Sequence, residues 1–286
     1  MRLFNRGPRV PVLRFSGPIG MATPLRPGLT SSAVAGALRK AFTTSNTPAV
    51  AIALNSPGGS PVQSSLIFKL IRQHATEQNK KVYVFCEDVA ASGGYYLAAA
   101  GDEIYADTSS IIGSIGVISA SFGFDKAMTR LGIDRRVYTA GKSKGALDMF
   151  QPEKVDDIER LKALQRDVHD VFIGVVKDRR AGKLRGPDSE LFSGAFWSAR
   201  KALEYGLIDG IADIRSKMRE LYGEKVRLEN VPLTRGGLLG RLRRLPSIAW
   251  GVHGPGGDFA GSAGLALAED LVSAIEARAL WSRYGL

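Results

Sequence analysis

The chain has 286 residues, of which 44% are hydrophobic, 23% charged and 8% aromatic, and it carries a net charge of +11. That composition excludes a wholly disordered chain, and Cys86, the single cysteine, excludes a disulfide scaffold. No run of about 18 apolar residues is present to span a bilayer, and Met1–Arg14 lacks the apolar stretch of a secretory signal, so a cytoplasmic protein is expected.

In chain order, Val10–Phe15 and Ala49–Leu54 are short β-type runs, the second leading into Asn55-Ser-Pro-Gly-Gly-Ser60. Between them, Ser31–Ala41 has helical spacing, and Gln63–Gln73 reads as a helix with Leu66, Leu70 and Ile71 on one face. Val82–Cys86 is a third strand, with Cys86 a buried thiol, and the small residues Ala90–Ala100 open a helix after it. Glu103–Ala106 and Ile111–Ile118 are further strands. Apolar strands that do not alternate, separated by helices, predict a largely parallel sheet covered by helices, an α/β fold. Pro152 opens a long helix with Val155, Ile158, Leu161, Leu164, Val168, Val171 and Val175 at steps of three and four. A short helix, Ser198–Tyr205, ends at Gly206, and the body closes soon after residue 214.

The remainder has a different texture. Residues 251–264 are glycine-rich, and Leu265–Tyr284 is helix-like. The chain therefore divides into a body, residues 1–220, and a basic, glycine-rich and helical C-terminal extension, residues 221–286. Positive charge gathers at both ends of a neutral middle: no carboxylate precedes Glu77, and arginines recur beyond residue 214. Such ends suit a polyanion. No zinc-finger spacing or RNA-binding aromatic signature is present, so no nucleic acid partner is expected. An anionic membrane surface is the alternative, met peripherally through Arg235–Arg244, where arginines interleave with Leu238, Leu239 and Leu242. The competing reading packs those leucines on the body or a second subunit.

Several chemistries fall away on spacing. Gly141-Lys-Ser143 resembles the end of a phosphate loop, but Arg136 stands where its leading glycine belongs. There is no G-x-G-x-x-G after a strand and no G-x-S-x-G elbow. No metal-ligand cluster is apparent, and no cofactor is expected. His74, His169 and His253 read as solvated surface residues, which leaves no imidazole for a Ser-His-Asp triad. Ser92 is nevertheless a candidate nucleophile, because it stands at a strand-to-helix junction where backbone N–H groups lack partners. Gly93 follows it directly, and Gly58-Gly59 ends a neighbouring strand, so both turns can offer N–H donors to an oxyanion. The base would then be a lysine, desolvated far enough to be neutral. Lys142 and Lys144 bracket a glycine turn before Ala146, Leu147, Met149 and Phe150, and spacing does not choose between them.

The run Asp88-Val-Ala-Ala-Ser-Gly-Gly-Tyr-Tyr-Leu-Ala-Ala-Ala-Gly-Asp-Glu-Ile-Tyr-Ala-Asp107, followed by Ile111-Ile-Gly-Ser-Ile-Gly-Val117, resembles the signal peptide peptidase A family of serine proteases. Asn55–Ser60, Gly141–Lys144 and Ala202–Asp209 match its other landmarks in order, so the resemblance covers roughly residues 10–215. It implies a ClpP/crotonase-type fold and an ATP-independent Ser-Lys endopeptidase of the short, single-copy type. Matched residue by residue, it implies Ser92 as nucleophile and Lys144 as general base. Ser114 is matched to a serine that positions the lysine, and Gly59 and Gly93 to the oxyanion donors. It further implies peptide substrates, such as signal-peptide remnants or other unfolded segments, and a homo-oligomer that joins catalytic groups across subunits. Ser143 departs from the aromatic residue often found before the lysine. Two rivals are a crotonase-type acyl-CoA enzyme and a catalytically silent scaffold of the same fold.

Overall fold

The computed structural model describes residues 7–20, 28–44, 46–141, 143–233, 275 and 278–286. Strands β1 (Arg9–Ser16), β2 (Ala49–Ser56) and β3 (Lys81–Ala91) run parallel at the centre of one sheet. Helix α1 (Ser31–Thr44) connects the first pair and α2 (Pro61–Glu77) the second. Helix α2 starts two residues before the expected Gln63: Ser60 caps it through the Gln63 N–H and Pro61 occupies its first turn. Strand β3 is long enough to serve two partners in succession. Its first half pairs with β4 (Glu103–Ala106) and its last three residues with β5 (Ile111–Gly113). Between them a shift in its register with β2, between Leu54 and Ser56, bends the strand toward its end.

The sheet is mostly parallel and covered by helices, as the apolar, non-alternating strands predict. On one face Val50, Ile52, Leu54, Val82 and Val84 pack with Leu38 and Phe42 of α1 and with Ile67 and Ile71 of α2. Each such side chain, fully buried, contributes about 1.5–3 kcal/mol. The helix α3 (Gly93–Ala98) joins this core, as do Phe172 and Val176 from the long α5 (Val155–Arg179). The opposite face carries a smaller cluster, in which Val10, Val12, Ala49, Ala51, Tyr83 and Phe85 meet Met218 of α8 (Ile214–Tyr222).

Three differences from the sequence reading have physical causes. The sheet runs past residue 220: β8 (Arg227–Asn230) pairs parallel with β1 as its edge strand, and Val231 is buried in the main core. Its polar Arg-Leu-Glu-Asn sequence hid it. The strand expected over Ile111–Ile118 stops at Gly113, where positive φ angles at Gly113 (116°) and Ser114 (52°) turn the chain away. Strand β6 (Phe196–Ser198) then closes this edge antiparallel to β5. Residues 118–154 leave the body as an exposed arm holding α4 (Asp125–Arg130), a helix not foreseen. The remaining short elements are α6 (Asp188–Leu191), α7 (Ala199–Glu204) and β7 (Gly210–Ile211). The segment Arg235–Arg244, the glycine-rich stretch and most of the expected helix Leu265–Tyr284 lie outside the described residues.

A buried ion pair ties α5 to the end of the body. Arg180, 1% exposed, donates to the Gly206 carbonyl through Nε and Nη2 and to Asp209 Oδ2 through Nη1 at 2.7 Å. Asp209 also accepts from Lys183 at 2.7 Å and from the Ile104 N–H at 2.8 Å. Burial alone would raise its carboxyl pKa, but these donors outweigh burial and hold it below the ordinary carboxylate value.

Candidate active site

Ser92 occupies the hinge between β3 and α3 with φ 54° and ψ −124°, a conformation that a residue with a side chain adopts at a cost of about 1–3 kcal/mol. The surroundings hold it there. Its N–H donates to the Gly113 carbonyl at 2.8 Å, and its own carbonyl accepts from Tyr96 N at 3.0 Å, the first bond of α3. The sharp turn lifts the half-buried Ser92 off the end of the strand. Its hydroxyl caps nothing, and no side chain is hydrogen-bonded to it among the described residues.

Two backbone N–H groups lie beside it. Gly93 is the first residue of α3, so its N–H has no intrahelical acceptor. Gly59 stands in the loop after β2 at φ 142°, where a β-carbon would run into the Ile19 carbonyl. The flanking bonds, Ile19 N to Gly58 O at 2.8 Å and Ser60 N to Ile19 O at 2.9 Å, pin the loop, and the Gly59 N–H has no backbone acceptor among the described residues. A β-carbon on residue 93 would fall 3.4 Å from the Gly59 nitrogen, so the two donors are near neighbours. Gly59, Ser92 and Gly93 border a cavity of about 60 Å³ whose wall includes Tyr96, Val117, Val168 and Phe172. Paired N–H donors at the mouth of an apolar recess are suited to stabilise developing negative charge.

Ser114 is close by through the sheet. Ala91 pairs with Gly113, and the Ser114 N–H donates to Ala195 O at 2.7 Å, leaving the residue 7% exposed. Lys144 is not brought to this cluster. It lies in a turn of the exposed arm, its N–H donating to the Gly141 carbonyl, and it forms no part of the cavity wall. Lys142 and His253 lie outside the described residues. Residues near the site that the sequence did not single out include Ile19, which fixes Gly59, and His169. The expected surface histidine is instead half-buried on α5, its Nε2 3.0 Å from the Ile115 carbonyl. Cys86 is buried as expected, and burial pushes its thiol up to about 12, so it is inert as a nucleophile.

The family model described as Peptidase family S49 matches residues 74–226, more than half of the chain and the stretch that holds Ser92, Gly93, Ser114 and Lys144. The chain belongs to peptidase family S49. Among its relatives, a protein of Brucella abortus named "Na(+)/H(+) antiporter NhaA" is 54% identical over 97% of this chain and 37% of its own length. A "Putative signal peptide peptidase SppA" of Enterococcus faecium is 32% identical over 62% of this chain and 51% of its own. The "Serine protease SPPA, chloroplastic" of Arabidopsis thaliana is 30% identical over 71% of this chain and 30% of its own. The chain thus spans between about a third and a half of these relatives. The antiporter name describes a protein of which little more than a third is matched. Among the described residues, this S49 chain has no helix long and apolar enough to cross a membrane.

Proposed function

We propose that the chain is an ATP-independent serine endopeptidase acting on unfolded segments such as signal-peptide remnants. The observation that carries the reading is Ser92 itself, held at positive φ beside Gly59 and Gly93, whose N–H groups have no backbone acceptor among the described residues. In this mechanism Ser92 Oγ attacks the scissile carbonyl, whose oxygen becomes negative and is received by the two N–H donors. Lys144, in its neutral form, takes the Ser92 proton and returns it to the leaving amine. Ser114 orients the lysine amine.

Lys144 reaches Ser92 from a second copy of the chain. Two features support this arrangement. The arm that bears Lys144 exposes large apolar side chains, among them Phe122, Leu131 (72% exposed) and Tyr138 (91%). The stripe on α5 is also uncovered at Val155, Leu164 and Val171 among the described residues, although its spacing is that of a buried face. A homo-oligomer would cover both surfaces and deliver the base. Peripheral contact with an anionic membrane through Arg235–Arg244 belongs to the same proposal, as does a cytoplasmic location.

The test is labelling with a fluorophosphonate probe alongside hydrolysis of an unfolded protein. Both should occur in the full chain and vanish in Ser92→Ala. Hydrolysis that survives in Ser92→Ala would place the nucleophile elsewhere, and a wild-type chain that is neither labelled nor active would return the crotonase-type or silent-scaffold reading.

A further inference from the structure

We propose that Tyr284 is a positioning residue for the Ser92 site, bracing its loops from behind the sheet; the inference rests on the reading of Ser92 as nucleophile. The segment arrives as a helical turn over residues 278–282 and is closed by Gly285 at φ 78°. Gly285 N donates to Ser282 O at 3.1 Å and Leu286 N to Trp281 O at 3.4 Å, the paired bonds of a helix ended by a left-handed residue. This ending turns Tyr284 inward, to 8% exposure, while Arg283 and Leu286 face solvent.

The contacts of Tyr284 fall on the elements that carry the site. It packs with Val89 and Ala91, and Ala91 is the residue before Ser92. Its hydroxyl lies 3.5 Å from the carbonyl of Pro57, which leads into Gly58-Gly59. Its ring meets Phe196 edge-on at 5.1 Å. Phe196 pairs with Gly113, the acceptor of the Ser92 N–H, and follows Ala195, the acceptor of the Ser114 N–H. One side chain therefore touches the approach to the nucleophile, to the oxyanion loop and to the Ser114 turn.

Behind the site, Ile111 and Trp281 are the other side chains that pack in this cluster among the described residues. The cluster under α8 stops short, and a cavity of about 560 Å³, bordered by Phe85, Asp107, Asp213 and Leu286, opens between it and the Tyr284 cluster. The acids around it have their own partners, Glu87 with Arg14, Asp88 with Asn55, Asp107 with the Ser109 N–H and Asp213 with the first turn of α8. Ser92 and Ser114 both sit at positive φ, which persists only where packing over-determines it. The helices supply that packing from the front, and Tyr284 with Trp281 supplies it from behind.

The experiment uses the full-length chain and the second-order rate of fluorophosphonate labelling, with kcat and KM on an unfolded protein substrate. Tyr284→Ala should slow labelling by about 10–100-fold, because small displacements of reacting groups are costly, and should lower kcat with little change in KM. Tyr284→Phe keeps the ring and should stay within about fivefold of the parent. Phe196→Ala, at a half-exposed site, should show a smaller loss than Tyr284→Ala and covers the case in which that variant fails to fold. Met218→Ala, buried under α8 on the same sheet face, serves as the control for general destabilisation and should label normally. Tyr284→Ala labelled at or above the parent rate, or Met218→Ala slowed as much, overturns the inference. Probe uptake that persists in Ser92→Ala defeats the reading of the nucleophile instead, and this inference with it.

Discussion

The elbow around Ser92 and the arm around Lys144 are built on opposite terms. Gly59, Ser92, Gly93 and Ser114 follow the ends of β2, β3 and β5, Ser92 and Ser114 fixed by their own backbone hydrogen bonds and Gly59 by those of its neighbours. Residues 118–150 are mostly exposed, and their aromatic contacts, Phe124 with Phe122 and Phe150, are with one another. On the proposed reading, the sheet pre-organises the nucleophile and the oxyanion donors within one chain, since the donors are backbone groups whose positions follow from strand order. A base carried on an exposed arm takes its position from whatever the arm meets. A strained elbow needs a rigid frame, and on the proposed reading the arm's lysine needs a surface to pack against, which a second copy can supply.

The sharpest way to break this contrast is to remove each half. Ser92→Ala and Lys144→Ala should each lower peptide hydrolysis by on the order of 10³-fold or more, because groups that act as a unit fail as a unit. Mixing the two inactive variants then separates the regions. If the arm serves a neighbouring copy, random co-assembly recreates about a quarter of the sites with both residues intact, and activity returns. Activity that stays at background after denaturation and co-refolding of the mixture would place both groups in one chain and remove the arm's role.

The elbow was legible in sequence because its signals are local. Asn55–Ser60 and Ala90–Gly94 are strand-loop-helix junctions with small residues, and the parallel order of β1, β2 and β3 followed from apolar runs separated by amphipathic helices. The arm was less legible, since the Gly141–Gly145 turn reads the same whether it lies on a core or in solvent. The turn at Ser114 was missed because Ile111–Ile118 is apolar enough for a strand, and only the antiparallel partner β6 shows where pairing stops. The exposure of the α5 stripe was hidden for the opposite reason: periodicity says that a face is apolar, not which surface covers it. Tyr284 lies 227 residues from Pro57, and no local pattern announces such a contact.

The frame behind the elbow predicts a large effect on stability. Asp209→Ala leaves the buried Arg180 guanidinium without its carboxylate and should cost about 3–5 kcal/mol in urea unfolding near neutral pH. The sign of its pH dependence follows from the lowered carboxyl pKa of Asp209. The folded state favours the ionised form, so this contribution is present above the ordinary carboxylate value and is lost as pH falls through the lower folded value. The gap between parent and variant should therefore narrow in acid. A gap that widens there would mean that Asp209 is held by something other than its cations.

The arm contains the same chemistry in a different setting, and there the effect should be small. Arg135 Nη2 lies 3.0 Å from Asp148 Oδ2, and its guanidinium stands 4.7 Å over the Phe150 ring, yet the Arg135 side chain is 39% exposed. An arginine in water gains little from such an ion pair, about 0.2–1 kcal/mol, and the ring adds a comparable amount at an exposed position. Arg135→Ala should thus shift global unfolding by about 1 kcal/mol or less. Hydrogen exchange should speed up within residues 124–150, because the pair and the Phe124–Phe150 stack hold the arm's own turn together. A destabilisation as large as that of Asp209→Ala would show that the arm is coupled to the body's cooperative core. Its lysine would then be positioned by the chain itself, which is the outcome the contrast between the two arginine–aspartate pairs is designed to expose.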